Sequence, residues 1–429
     1  MQIIQYPSKD SLQEIVRRPA LDTAALERTV SSVLADVKEN GDAAVRKYSL
    51  QFDKAVTEIL SVSEGEMTEA AGKLGEDLKA AIQQAKSNIE KFHLAQKENG
   101  QVIETMPGVR CWRKAVGIEK VGLYIPGGTA PLFSTILMLG IPAKLAGCRE
   151  IVLCTPPAAD GSIHPAILYA AQQTGITKVF RIGGVQAIAA MAYGTESVPK
   201  VYKIFGPGNQ YVTCAKQLVN REGTAIDMPA GPSEVAVLAD ESCVPAFVAA
   251  DLLSQAEHGV DSQVLLVSTD REVIAATQRE IEKQLADLPR KNIAEQSLAN
   301  SRAVLVSNLG EAIALINEYA PEHLILSCKE DEQVAEKIVN AGSVFLGNYS
   351  PESAGDYASG TNHTLPTNGY AKAYSGVSLD SFTRKITYQK LSQEGLNGIA
   401  ATIEQMAGAE GLHAHKNAVS IRLDRTNQQ

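Results

Sequence analysis

The chain has 429 residues, 45% of them hydrophobic and 21% charged, more than one hydrophobic core organises, so two or more domains are expected. Its net charge of −9, with Lys and Arg scattered along the chain, excludes the basic footprint of a nucleic-acid binder and points to a small-molecule partner. No run approaches the roughly 18 to 20 apolar residues of a membrane span, and the opening MQIIQYPSKDSLQEIVRRP puts charges where a signal peptide is apolar. Six cysteines without a C-x-x-C pair suit reduced thiols; no membrane partner and a cytoplasmic location are therefore expected.

Residues 1–20 read as an N-terminal arm. Residues 23–99 read as helical, because apolar positions recur three and four apart in LERTVSSVLADVKENG and AAIQQAKSNIEKFHLAQ, with Gly41 as the stop of the first helix. From Val121 short apolar runs alternate with helical ones, the pattern of βα units around a parallel sheet. The strand candidates are VGLYI, EIVLC, KVFRI and VYKIF, with helices starting near Pro131, Ile163, Val185 and Asn209, in a unit that runs to about Val235. A second set follows, with strands QVLLV, AVLVS, HLILS and SVFLG separated by helices around 272–288, 311–319 and 332–340. The residues after Gly376 lose the alternation and read as an appendage, with a helix in SQEGLNGIAATIEQMAGAEG and a terminal strand in AVSIRL. The fold class is α/β, two incomplete Rossmann-like units, doubly wound and mostly parallel, with an N-terminal helical segment and a C-terminal appendage; no G-x-G-x-x-G fingerprint is present, so a nucleotide site would be unorthodox.

In DLLSQAEHG, Gln255 and His258 stand at i and i+3, so both can project from one face of a helix end toward a single ion; an ordinary helix end whose His satisfies a carbonyl has the same spacing. Asp356 sits in the Gly- and Ser-rich ESAGDYASGTNH, too irregular for a strand or long helix. Glu322 and His323 enter the strand HLILS after a Pro, and offer a base and an acid near neutral pH; adjacent residues of an extended chain point oppositely, so both reach one site only in a loop or bulge. Five of the seven histidines, His258, His323, His363, His413 and His415, lie in the later part of the chain. In a strand His413 and His415 would share a face, and one ligand from that pair is expected. YIPGGTAP, RIGGVQAI and FGPGNQYV each join a strand end to a helix start, where N–H groups and the helix dipole favour an anion or merely reverse the chain. Ser233, in IDMPAGPSEV, could hydrogen-bond a substrate.

Taken together, VGLYIPGGTAPLFSTILML, FGPGNQYVTCAK, IDMPAGPSEV, DLLSQAEHG, YAPEHLIL, GSVFLGNYSPESAGDYASGTNHTLPT and EGLHAHKNAV resemble the histidinol dehydrogenase family, in order from about residue 20 to the C-terminus. The resemblance implies an aldehyde-dehydrogenase-like fold and oxidation of L-histidinol through L-histidinaldehyde to L-histidine, with two NAD and one water consumed. It implies one Zn2+ per subunit held by Gln255, His258, Asp356 and His415, with Glu322 activating water and His323 moving protons. Ser233, His363 and Glu410 would hold substrate, together with His323 and the metal-binding side chains, and Tyr124, Gln186 and Asn209 would line the NAD site. It further implies a homodimer in which the C-terminal segment completes the neighbouring site. The division that goes with it is 21–122 plus 236–376 for metal and catalysis, 123–235 for NAD, and 377–429 for the partner contact. Rival readings are a thiol aldehyde dehydrogenase using Cys111 or Cys148, a two-lobed solute-binding protein and a zinc hydrolase.

Overall fold

The computed structural model describes residues 1–8, 12–18, 23–98, 100–127 and 131–424. Contacts divide the chain into two units, Met1–Gln96 with Ile118–Phe382, and Lys97–Gly117 with Thr383–Gln429. The boundaries differ from those drawn from the sequence because both α/β sheets pack within the first unit.

That unit opens with β1 (Gln2–Gln5), α1 (Leu12–Ile15), α2 (Thr23–Tyr48), α3 (Glu64–Gly72) and α4 (Glu76–Leu94). β2 (Ile103–Met106) and β3 (Val109–Gly117) belong to the second unit. The first βα series is then β4 (Lys120–Tyr124), α5 (Phe133–Leu145), β5 (Glu150–Thr155), α6 (Pro165–Thr174), β6 (Lys178–Arg181), α7 (Gly184–Tyr193), β7 (Lys203–Phe205), α8 (Gln210–Arg221) and β8 (Ala225–Ile226). The second is β9 (Glu234–Ala239), α9 (Pro245–Ala256), β10 (Gln263–Ser268), α10 (Arg271–Ala286), α11 (Lys291–Ala299), β11 (Arg302–Leu305), α12 (Leu309–Tyr319), β12 (His323–Ser327), α13 (Asp331–Ala335), β13 (Ser343–Leu346) and α14 (Glu352–Tyr357).

All strands of the two large sheets run parallel, in the orders β6-β5-β4-β7-β8 and β1-β11-β10-β9-β12-β13. Both are covered on two faces. Along β9, Val235 and Val237 pack with α9, whereas Ala236 and Leu238 pack with Ile316 and Tyr319 of α12. Burial along the whole strand explains why EVAVLA is a continuous apolar run after Glu234 rather than an alternating one; Val235, Val237 and Leu238 each contribute roughly 1.5 to 3 kcal/mol by leaving water.

Four readings of the sequence need correction. Gly41 does not end the first helix: it is a kink inside α2 (φ 51, ψ −132), and the Glu196 carboxylate accepts the Asp42 N–H at 2.7 Å, so the helix restarts. The first α/β unit does not run to Val235, because Glu234 and Val235 already belong to β9 of the other sheet. The N-terminal arm is in part a strand, β1 paired with β11. AVSIRL lies in a helix, since the second unit consists of the antiparallel sheet β14-β3-β2, with β14 (Thr383–Leu391), followed by α15 (Gln393–Ala409) and α16 (His413–Asp424).

Among the described residues no helix is long and apolar enough to cross a membrane.

Candidate active site

The site forms where β9 and β12, neighbours in the six-stranded sheet, begin. Glu234 opens β9 and His323 opens β12, opposite Val235. The chain reaches β12 through Ala320, a buried non-glycine residue at φ 50 that caps α12, a conformation costing on the order of 1 kcal/mol or more. That turn frees Glu322 from strand geometry, so Glu322 and His323 reach one place, as the sequence required. Gly342 lies against the carbonyl of Glu322, where a Cβ would stand 2.5 Å from the oxygen.

The Glu322 carboxyl is buried, accepts the Glu234 N–H at 2.9 Å and lies 3.7 Å from His323 Nδ1. His323 Nδ1 is 3.3 Å from the Glu234 carbonyl, and its ring lies against Phe345. His323 Nε2 is 3.5 Å from Asp356 Oδ1 and has no hydrogen-bond partner. Asp356 and Glu352, four apart on α14, face the same place. Ligand atoms of His323, Glu352 and Asp356 lie within 4.8 Å of one another. Glu352 was not anticipated, although the i, i+4 spacing of the two acids in ESAGD was legible.

Gln255 is buried near the end of α9; its amide fits with the nitrogen donating to Glu352 and the oxygen facing the Glu234 N–H at 3.0 Å. His258 lies in the turn after α9, where its N–H donates to the Gln255 carbonyl at 3.2 Å, and it senses Asp356 and His323. His363 has Nδ1 2.9 Å from the Asp356 carbonyl and Nε2 3.1 Å from Thr135 Oγ1 of α5, so it joins the two α/β series. Ser233, partly buried just before β9, accepts the Gln263 N–H at 3.1 Å. Glu410 and His415 are exposed on the second unit, Glu410 capping α15 and His415 in the first turn of α16. In that helix His413 and His415, two apart, turn to different faces.

The protein groups by themselves crowd three carboxyls and an imidazole into one buried place. Burial pushes Glu322 up to about 8, against the opposing pull of His323 and the Glu234 N–H. Burial likewise raises Glu352. Burial works to lower His323, but Glu352, Glu322 and Asp356 outweigh it and raise the imidazole to about 10. Asp356 falls below the usual carboxylate range, its burial overcome by His323. Burial lowers both His258 and His363. Carboxyls buried deeply enough to hold protons near neutrality, beside the imidazoles of His258 and His363 held neutral by burial, are a donor set that a divalent cation would relieve.

The glycine-bearing turns lie elsewhere. A cavity of about 920 Å³ opens at the carboxyl ends of β4, β5 and β6, lined among others by Tyr124, Thr155, Gly184 and Asn209. Gly128, Thr129 and Ala130 of YIPGGTAP lie outside the described residues. Tyr124 Oη accepts the Gly184 N–H at 3.0 Å, and Asn209 caps α8 by accepting the N–H groups of Tyr211 and Val212. Gln186 is buried behind the lining and donates to Asp53 at 3.2 Å.

A model of the histidinol dehydrogenase family matches residues 16–423. The chain belongs to the histidinol dehydrogenase family. It is 62% identical over 424 residues to the histidinol dehydrogenase of Bacteroides thetaiotaomicron, covering 99% of each chain. It is 52% identical over 426 residues to that of Yersinia pestis, covering 99% of this chain and 95% of the relative. The crystal structure of histidinol dehydrogenase from Elizabethkingia anophelis superposes with a TM-score of 0.97 at 56% identity, over 100% of this chain and 99% of that one. An acetylating aldehyde dehydrogenase from Geobacillus thermoglucosidasius shares the fold alone, at TM-score 0.50 and 15% identity over 90% and 95% of the two chains. The expected α/β architecture with aldehyde-dehydrogenase-like neighbours therefore holds, and family membership makes the chain an oxidoreductase rather than a binding protein. Burial pushes the Cys148 thiol up to about 12, away from the thiolate that a nucleophile needs, and Cys111 lies on β3.

Proposed function

We propose that the protein oxidises L-histidinol through L-histidinaldehyde to L-histidine, as the last step of histidine biosynthesis in the cytoplasm, with NAD as hydride acceptor and zinc at the site. The observation that carries this reading is the convergence of Glu322, His323, Glu352 and Asp356 on one buried place, with His323 Nε2 facing Asp356 but without a hydrogen-bond partner. Gln255, His258 and Asp356 would hold the zinc, with His415 supplied by a second copy in a homodimer. The nitrogen and oxygen donors fit that ion. When bound, zinc supplies a positive centre that orients the nitrogens of an imidazole-bearing amino alcohol. NAD, in the cavity of about 920 Å³ beside Tyr124, Asn209 and the Gln186–Asp53 pair, would take the hydride of each oxidation.

The chain's own residues do the rest. With a bound cation offsetting the carboxyls that hold its proton, His323 would become a neutral base that takes the hydroxyl proton of the alcohol and later that of the aldehyde hydrate. Glu322, as carboxylate, takes a proton from the water that adds to the aldehyde. The Glu234 N–H and carbonyl fix both side chains, and burial keeps competing water out. His363 and Ser233, with Glu410 from the second copy, would hold the substrate. In this reading the sheet from β9 to β13 with α9 and α14 would serve metal and catalysis, the series from β4 to β8 would serve NAD, and the second unit would reach the partner.

The test is NAD reduction followed at the NADH absorbance with L-histidinol. Two NADH per histidine formed supports the reading. Metal-dependent hydrolysis without NADH would replace it by a zinc hydrolase.

A further inference from the structure

The cavity at the ends of β4, β5 and β6 carries a carboxylate where a phosphate cradle would be left open. Asp53 accepts hydrogen bonds from the Gly183 N–H, at the cap of α7, and from Gln186 Nε2 at 3.2 Å. The anion position at that helix start is therefore filled by the chain itself. The local backbone is built for the approach. Asp53 ends a π-helical turn, Ser49–Asp53, closed by Lys54 at φ 58, a combination common at functional sites. A Cβ on residue 183 would stand 2.9 Å from Asp53 Oδ1 and 2.6 Å from Pro156, so only glycine admits the carboxylate.

Phe52 and Thr155 line the same cavity as Asp53. Phe52, 49% exposed, lies flat on Tyr48 with centroids 5.6 Å apart, and offers its other face to a planar base. Thr155 at the end of β5 is fully buried, lines the cavity and has a hydroxyl without a partner. An aromatic face, a carboxylate and an unpaired hydroxyl in the lining of one cavity match a nucleoside, whose ribose hydroxyls donate to a carboxylate.

We propose that Asp53 selects the coenzyme: its carboxylate accepts a ribose hydroxyl of NAD and repels the extra ribose phosphate that NADP carries. The inference rests on the reading of this cavity as the dinucleotide site. Burial, which pushes Asp53 up to about 6, marks an environment of weak screening in which such repulsion is strong.

The test compares kcat/KM for NAD and NADP, at saturating L-histidinol, in the wild type, D53N and A158W. Asn at 53 can still accept the Gly183 N–H, so D53N should melt within a few degrees of the wild type while its NADP-to-NAD ratio rises at least about tenfold. D53S repeats the measurement with a smaller neutral side chain should D53N fold poorly. A158W fills the exposed rim of the cavity and should raise KM for NAD. A raised KM in A158W with an unchanged ratio in D53N and D53S overturns the role of Asp53 and leaves the cavity standing. An unchanged KM in A158W overturns both.

Discussion

Glu234 holds Glu322 by its N–H at 2.9 Å and faces His323 with its carbonyl at 3.3 Å, so one residue's backbone fixes both groups proposed to move protons. Its own side chain is locked in turn. Arg18 donates to both Glu234 carboxylate oxygens at 2.8 Å, and its guanidinium lies 4.0 Å from the centre of the Tyr319 ring. Removing one member of a buried pair leaves the other uncompensated. Arg18→Met should therefore cost about 3 to 5 kcal/mol in chemical denaturation and lower kcat at least about tenfold. Arg18→Lys should recover part of both, lacking the fork but keeping the charge. Full stability in Arg18→Met would show the pair to be idle.

Glu322 should matter to one half-reaction more than the other. Only the addition of water to the aldehyde needs a carboxylate base, so Glu322→Gln should depress oxidation of L-histidinaldehyde by about 100-fold or more, and the alcohol step much less. Gln can still accept the Glu234 N–H, so the fold should be kept. Single-turnover measurements from each substrate separate the steps, and equal losses in both contradict the assignment.

The parallel sheets were legible because strands buried on both faces read as unbroken apolar runs, as in QVLLV and HLILS. The antiparallel sheet was not. β14, TRKITYQKL, is exposed or half-buried along its whole length, so charges fall on both faces and the period of two is lost. β9 was not among the strands read from the sequence, which ended the first unit near Val235 and so inside EVAVLA, although the Gly231-Pro232 pair marks a turn just before it. At the site, Glu322, His323 and Asp356 were named from local chemistry and the family resemblance. Arg18 and Glu234, 216 residues apart, meet only through the pairing of strands, and no spacing announces such a contact.

Metal content gives a readout apart from turnover. His258→Ala and Asp356→Asn should each lower bound zinc by about 10-fold or more in affinity, since each removes a donor from a small set. Elemental analysis after dialysis against a competing chelator measures this. Zinc retained at the wild-type level in both variants would place the ion elsewhere.

Asp251, one turn before Gln255 on α9, provides a pH test in chelator-treated protein. Burial alone pushes its carboxyl up to about 7, whereas an unfolded chain holds it at about 3.9. Between those values the folded state binds more protons than the unfolded one, so this group makes stability fall as pH rises through the interval. Below about pH 4 both states are protonated and the penalty disappears; above about 7 it is complete. Asp251→Asn removes the ionisation. Its melting temperature should match the wild type near pH 4 and exceed it at pH 8, by a stability difference of at least about 1.4 kcal/mol, the equivalent of one tenfold change in proton affinity. A difference of constant size across that range would mean that packing, not charge, separates the two proteins.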